Sequence, residues 1–245
     1  MSLFFRYQTE LPQGVGFALF GPKHLAVLAG MALVIIGVSA LYGRTSPAKR
    51  AACRRRFAWF LLALEAGKDV WLATKGHFDN TYLPLHLCGL AIFVSLADAY
   101  FPSRTTHALL YFLCMPGALA ALLFPNWTQY PVWNIQSQQS FWMHGLLMAY
   151  PIMQLAAHEW RPALRDTWRC LVFLLIVVPP IYLLNRVWNT NYMFVNVPSP
   201  GSPLVLFAKW FGNPGYLAAY LALLLAAWLL LDLPWALSAR RHRGK

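Results

Sequence analysis

The chain has 245 residues, of which 59% are hydrophobic and only 11% are charged. Soluble domains carry about 25% charged residues, so this composition excludes an ordinary soluble protein and is typical of an integral membrane protein. The formal net charge is +12. The basic residues are divided among short segments between apolar runs, which excludes a nucleic-acid partner. We expect residues 1–245 to form a single transmembrane helical domain.

Seven apolar runs predict transmembrane helices, because about 18 or more apolar residues can cross the hydrocarbon core. The predicted fold class is therefore all-α, a polytopic bundle of seven transmembrane helices. The second run is the least apolar, since it contains Glu65, Lys68 and Asp69. The runs are His24–Tyr42, Phe57–Thr74, Leu83–Phe101, His107–Phe124, Ser140–His158, Cys170–Trp188 and Gly215–Leu237.

The basic residues predict the orientation of this bundle. The loops and the tail on one side hold 14 of the 20 lysines and arginines, and six of these lie between Arg44 and Arg56. Cytoplasmic loops carry the excess of lysine and arginine. We therefore expect the N-terminus outside, the C-terminus in the cytoplasm, and the protein in the cytoplasmic (inner) membrane. Asp98 falls near a cytoplasmic helix end, where we expect an interfacial position.

Four predicted helices place polar side chains in the outer half of the membrane. A charged group in hydrocarbon costs about 2.5–3.5 kcal/mol on insertion scales, so such groups usually face a cavity and pair with one another. The sequence therefore predicts one polar pocket that opens outward. The residues concerned are Glu65, Lys68, Asp69, His86, Cys88, His144, Asn185, Arg186 and Asn189.

Cys88 is the cysteine predicted near the outer side, so it has no disulfide partner within the chain. A thiol in apolar surroundings is inert, but a histidine that accepts its proton activates it. On a helix, His86 is rotated about 200° from Cys88 and faces the opposite way. His144, at a similar predicted depth on another helix, is the better base.

Three segments, "LPLHLCGL", "QSFWMHG" and "NRVWNTNYMFV", occur in this order on the seven-helix frame. In this the chain resembles the YwaF-type bacterial integral membrane family, whose eukaryotic relative is transmembrane protein 164. The resemblance covers most of the chain. It implies a lipid acyltransferase whose cysteine nucleophile and histidine match Cys88 and His144.

The chemistry expected from this resemblance is transfer of phospholipid acyl chains through a thioester to a lysolipid hydroxyl or to water, in a site that opens to the outer leaflet. The partners are phospholipid and lysophospholipid substrates, and no cofactor or metal is expected. Asn185 or Asn189 could stabilise the oxyanion, and Arg186 could hold the lipid phosphate. Glu65, Lys68 and Asp69 could orient His144 or bind the headgroup. The predicted substrate-binding residues are Asn185, Arg186, Asn189, Asn191, Tyr192, Glu65, Lys68, Asp69 and His86.

Simpler interpretations of these residues stay open. His86 could be a helix–helix hydrogen-bond partner, Cys88 a small hydrophobic residue, and Lys68 only a counter-ion for its neighbours. Two other function classes also remain. One is a transporter or proton-relay protein that uses buried Glu, Asp and His, and the other is a metal or haem site built on His86 and His144.

Overall fold

The computed structural model describes residues 3–243, which contain eight α-helices, five short 3₁₀ turns and no strand. The all-α prediction is confirmed. A π-helical segment, Leu109–Cys114, lies within the fourth helix. The helices are α1 Pro22–Arg44, α2 Pro47–Thr74, α3 Leu87–Tyr100, α4 Arg104–Leu123, α5 Ile135–Ala156, α6 Trp168–Trp188, α7 Leu204–Phe211 and α8 Leu217–Arg243.

Seven of these helices occupy the positions of the seven predicted runs, and α7 is an eighth that we did not predict. Four of them, α1, α4, α6 and α8, are long and apolar enough to cross a membrane. The protein is therefore a helical membrane protein with several spans. Membrane crossing by α2, α3 and α5 stays a prediction, because α3 is short and the other two carry many polar residues.

Successive long helices run in opposite directions, so their ends meet in two groups. At the end that we call the basic end, Arg50 donates to the carbonyl of Ala157, and Arg104 forms an ion pair with Asp166. At the opposite end, the site end, His24 bonds the carbonyl of Leu122. The basic end is defined by Arg44, Pro47, Tyr100, Arg104, Ala156 and Trp168, and the site end by Pro22, Thr74, Leu87, Leu123, Ile135 and Trp188.

The helix α5 lies at the centre of the bundle, where it packs on α1, α2, α3 and α4, and its closest packing is with α1. Gly145 allows this approach, because a Cβ atom there would stand 2.8 Å from the sulfur of Met31. Leu61 of α2, Ile92 of α3 and Tyr150 of α5 are at most 1% exposed and fill the adjoining core.

The N-terminal segment folds over the site end. The Tyr7 and Tyr82 hydroxyls are 2.6 Å apart, and the side-chain amide of Asn134 donates to the carbonyls of Leu3 and Arg6. Burial and the hydrogen bond with Tyr7 raise the pKa of Tyr82 above its usual value. Tyr82 therefore stays neutral at physiological pH, and its hydrogen bond with Tyr7 holds the segment against the loop before α3.

The helix α3 begins four residues later than predicted. Leu83–His86 are not helical. Pro84 disfavours the helical region for Leu83, the residue before it. This segment instead packs on the first turn of α3, where a Cβ on Gly89 would lie 2.6 Å from the backbone of Pro84. The glycine is therefore required by close backbone approach.

Two other helices, α2 and α5, begin at least five residues earlier than predicted. Pro47 starts α2 at its first position, which proline favours, so the basic run lies within the helix. Asn134 caps α5, since its side chain accepts from the amide of Gln136. Both helices begin with polar residues, so the apolar runs did not reveal where they start.

Asp98 is fully buried, which corrects the prediction that it lies at the membrane interface. Its carboxylate accepts hydrogen bonds from Thr106 and Gln154, at 2.6 Å each, and from Tyr150 at 3.2 Å. The ring nitrogen of His107 lies 3.3 Å away. This buried network joins α3, α4 and α5 near the basic end.

Candidate functional site

Cys88 is the second residue of α3 and lies at its N-terminus. The first amide N–H groups of a helix have no hydrogen-bond partner within the helix. Together with the helix dipole, they favour a negative charge near the N-terminus. The amides of Cys88 and Gly89 lie beside the thiol, and the charges of Glu65 and Lys68 act on it. Burial opposes ionisation of this thiol, whereas the helix N-terminus stabilises its thiolate.

His144 lies in α5 and is 9% exposed. Its Nδ1 is 2.7 Å from the carbonyl oxygen of Ser140. Because a carbonyl only accepts, Nδ1 must carry the proton, and the Nε2 lone pair is then available to accept one. The ring of Trp127 stacks on the imidazole, with centroids 5.3 Å apart. The side chain is thus fixed in the tautomer that a general base needs.

Cys88 and His144 lie at the same level of the bundle. Each is twelve residues before the last residue of its helix, which is about 18 Å at 1.5 Å per residue. The two residues are therefore equally far from the basic end, although both helices start elsewhere than predicted, and their depth in a membrane stays a prediction. No hydrogen bond joins the two side chains in the described part of the chain.

Glu65, Lys68 and Asp69 form a compact charged cluster on α2. The Lys68 ammonium lies 2.5 Å from Glu65 and 3.3 Å from Asp69. The second carboxylate oxygen of Glu65 accepts from Gln139 of α5 at 3.0 Å. Lys68 therefore acts as the counter-ion that the sequence suggested. The cluster reaches α5 through Gln139, and its charges act on His144 from a distance.

His86 is not on the helix, which corrects the prediction that it faces away from Cys88 by helical rotation. It is the residue before the first turn of α3 and has an extended backbone, with φ −68° and ψ 157°. Its Nδ1 accepts a hydrogen bond from the amide of Met193 at 3.2 Å. His86 also lies within electrostatic range of His144 and Lys68.

Some residues of the "NRVWNTNYMFV" segment hold the loop in place by hydrogen bonds, and others are exposed. Asn185 is buried, and four hydrogen bonds to Thr190, Tyr192 and Asn196 occupy its amide. Asn191 exchanges two hydrogen bonds with the backbone of Val197.

Other residues of this segment differ in exposure. Arg186 and Asn189 are exposed, and Asn189 ends α6 with a left-handed φ of 53°. Tyr192 is 1% exposed, and its ring contacts that of His86. The segment therefore meets the cysteine motif at His86.

A cleft of about 390 Å³ lies between α2 and α5. Its wall includes Lys68 of the charged cluster and Gln139, which donates to that cluster. Trp71 and Trp142 supply aromatic surface. Its remaining wall is Ala63, Leu64, Gly67, Ile135, Gln136 and Gln138.

Gln139 and Trp127 are the two site residues that the sequence did not reveal. Gln139 fell just before the predicted start of its helix, although the run "QSQQS" marked a polar helix start. Trp127 lies in a loop whose pattern gives no signal. Within residues 3–243, no group of three or more His, Cys, Asp and Glu side chains is placed to hold a metal.

Comparison with known proteins gives one match, which is a family model. No curated protein and no solved structure is detectably similar to the chain. The model of the TMEM164 family matches residues 19–232. This match spans all three segments that carried the resemblance, and Cys88, His144 and the loop after α6 all lie within it. The resemblance is thus confirmed, and the chain belongs to the TMEM164 family.

Proposed function

We propose that the protein is an intramembrane acyltransferase that moves phospholipid acyl chains through a thioester on Cys88. The observation that carries the proposal is the fixed tautomer of His144, whose Nε2 is an acceptor at the level of Cys88 in the first turn of α3. The site lies within a membrane protein, so lipids are its natural substrates.

The reaction follows from these two groups. The proton of the Cys88 thiol moves to Nε2 of His144, and the sulfur attacks the carbonyl carbon of an acyl ester. The ester C–O bond breaks, and His144 returns the proton to the lysophospholipid that leaves. A lysophospholipid hydroxyl then gives its proton to His144 and attacks the thioester. The C–S bond breaks, and the thiol regains the proton.

The oxyanion of each tetrahedral intermediate needs preorganised donors. The free amides of Cys88 and Gly89 in the first turn of α3 are suitable, since they lie beside the sulfur. Asn185 is unsuitable, because its amide hydrogen bonds are all made within the chain. Arg186 and Asn189 are exposed at the end of α6, where they can meet a lipid phosphate.

Intact mass spectrometry of the protein mixed with phospholipid tests this function. We expect an acyl adduct that hydroxylamine removes and that the Cys88→Ser variant lacks. Cys53→Ser is the matched control, since Cys53 is exposed in the basic run, and this variant should keep the adduct. His144→Ala should slow adduct formation by about two to four orders of magnitude.

Two results would contradict the proposal. Full lipid remodelling by Cys88→Ser would make the thiol structural. Proton flux through reconstituted protein, without any acyl adduct, would favour the proton-relay function instead. The buried Asp98 carboxylate and His107, 3.3 Å apart, are the groups that such a relay would use.

A further inference from the structure

The tautomer of His86 is the opposite of that of His144. The amide of Met193 donates to Nδ1 of His86 at 3.2 Å. A nitrogen that accepts a hydrogen bond carries no proton, so the proton of the neutral ring is on Nε2. In the described part of the chain this Nε2–H has no hydrogen-bond acceptor. The two histidines thus offer one acceptor and one donor.

The loop that supplies the Met193 amide is held in a strained conformation. Met193 and Phe194 have φ values of 56° and 53°, which non-glycine residues adopt rarely because they are strained. Tyr216 donates to the carbonyl of Phe194, and Tyr220 donates to that of Met193. Asn185 fixes the start of the same loop.

Strain of this kind persists only when the surroundings hold it in place. In this strained conformation the amide of Met193 is directed at His86. The ring is further fixed by Tyr192 and Phe194, whose centroids each lie 5.3 Å from that of His86. The loop therefore orients His86 and sets which nitrogen carries the proton.

We propose that His86 is a further catalytic residue, whose Nε2–H donates a hydrogen bond to the acyl carbonyl oxygen as Cys88 attacks. This inference rests on the proposed function. His86 immediately precedes the first turn of α3, so a donor there supplements the amides of Cys88 and Gly89. His86 cannot replace His144 as the base, because its Nδ1 is occupied and its Nε2 is protonated.

Two substitutions separate the donor from the loop contact. In His86→Asn, the side-chain oxygen takes the place of Nδ1 and still accepts from Met193, but no donor reaches the position of Nε2. In His86→Gln, the side-chain NH₂ reaches the position of Nε2. We expect the rate of acyl-adduct formation to fall about 100- to 1,000-fold in His86→Asn. We expect a loss of about tenfold or less in His86→Gln, with KM nearly unchanged in both variants.

The experiment measures the rate of acyl-adduct formation from phosphatidylcholine vesicles by quenched-flow mass spectrometry. His158→Asn is the control, since His158 is exposed at the end of α5 and has a left-handed φ of 55° that asparagine tolerates. Its rate should equal that of the wild type. Near-UV circular dichroism of each variant checks that the loop packing is retained.

The outcomes distinguish this inference from the proposed function. If the wild type forms the adduct and His86→Asn forms it equally fast, the role of His86 is overturned and Cys88 remains the nucleophile. Equal large losses in His86→Asn and His86→Gln also overturn it, since retention of the donor would then be without effect. Absence of any adduct in the wild type overturns the proposed function itself.

Discussion

At the scale of single residues, the direction of one hydrogen bond decides what each histidine can do. His144 donates from Nδ1 to a carbonyl, whereas His86 accepts at Nδ1 from an amide. His24 uses both nitrogens, one with the amide of Phe20 and one with the carbonyl of Leu122, so it is a structural residue. Residue type alone does not separate these three roles.

The buried carboxylate of Asp98 gives a prediction about stability. Asp98→Ala leaves the donors on Thr106, Gln154 and Tyr150 without their acceptor. We expect the free energy of unfolding to fall by about 3–5 kcal/mol, measured by thermal unfolding in detergent. Asp232→Asn is the control, because Asp232 has no hydrogen bond or ion pair among the described residues. Equal shifts in both variants would show that the Asp98 network contributes nothing specific.

At the scale of elements, the start of α3 determines the site. The helix begins at Leu87, after the extended backbone of His86, and this late start places Cys88 in the first turn. Had the helix begun at Leu83, as predicted, Cys88 would lie in its second turn, where its amide is bonded within the helix. The short non-helical segment thus provides the free amides.

Gly89 permits this arrangement, and its substitution is the second prediction. In Gly89→Ala the new Cβ would lie 2.6 Å from the Pro84 backbone, so the start of α3 must shift. A displacement of about 1 Å at a reacting group lowers the rate by about 100-fold, and we expect a loss of this size in the adduct assay. Gly30→Ala of α1 is the matched control, since nothing lies within 4 Å of its Cβ. An active Gly89→Ala protein would show that the close approach is unimportant for the chemistry.

Much of the helical framework could be predicted from the sequence, because apolar runs report burial or membrane exposure directly. The runs placed Cys88 and His144 at a common level. The sequence did not reveal the capped starts at Asn134 and Pro47, where polar residues are helical, or the extended backbone of His86. These features depend on local backbone hydrogen bonds and packing, which residue hydrophobicity does not record.

At the scale of the whole molecule, the two ends of the bundle differ in charge and in content. The basic end gathers arginines, of which Arg50 and Arg54 pair with Glu159, and the site end gathers the cysteine motif and the loop after α6. If the arginines mark the cytoplasmic side, the site faces outward.

Thiol labelling in intact cells tests this orientation. Trp133 is 76% exposed in the loop before α5, and Cys53 is exposed in the basic run of α2. In a Cys53→Ser background, Trp133→Cys should react with an impermeant maleimide from outside. The wild-type Cys53 should react only after permeabilisation. The opposite pattern would place the site on the cytoplasmic face.

The hydrogen bond between His144 and Ser140 lies within one turn of α5. In many catalytic sites the orienting group comes from another part of the chain, so movement between the parts disturbs the base. Here the imidazole and its orienting carbonyl travel together as one rigid unit. A movement of α5 relative to its neighbours therefore leaves this hydrogen bond intact, and the imidazole keeps its proton on Nδ1 while the helices move.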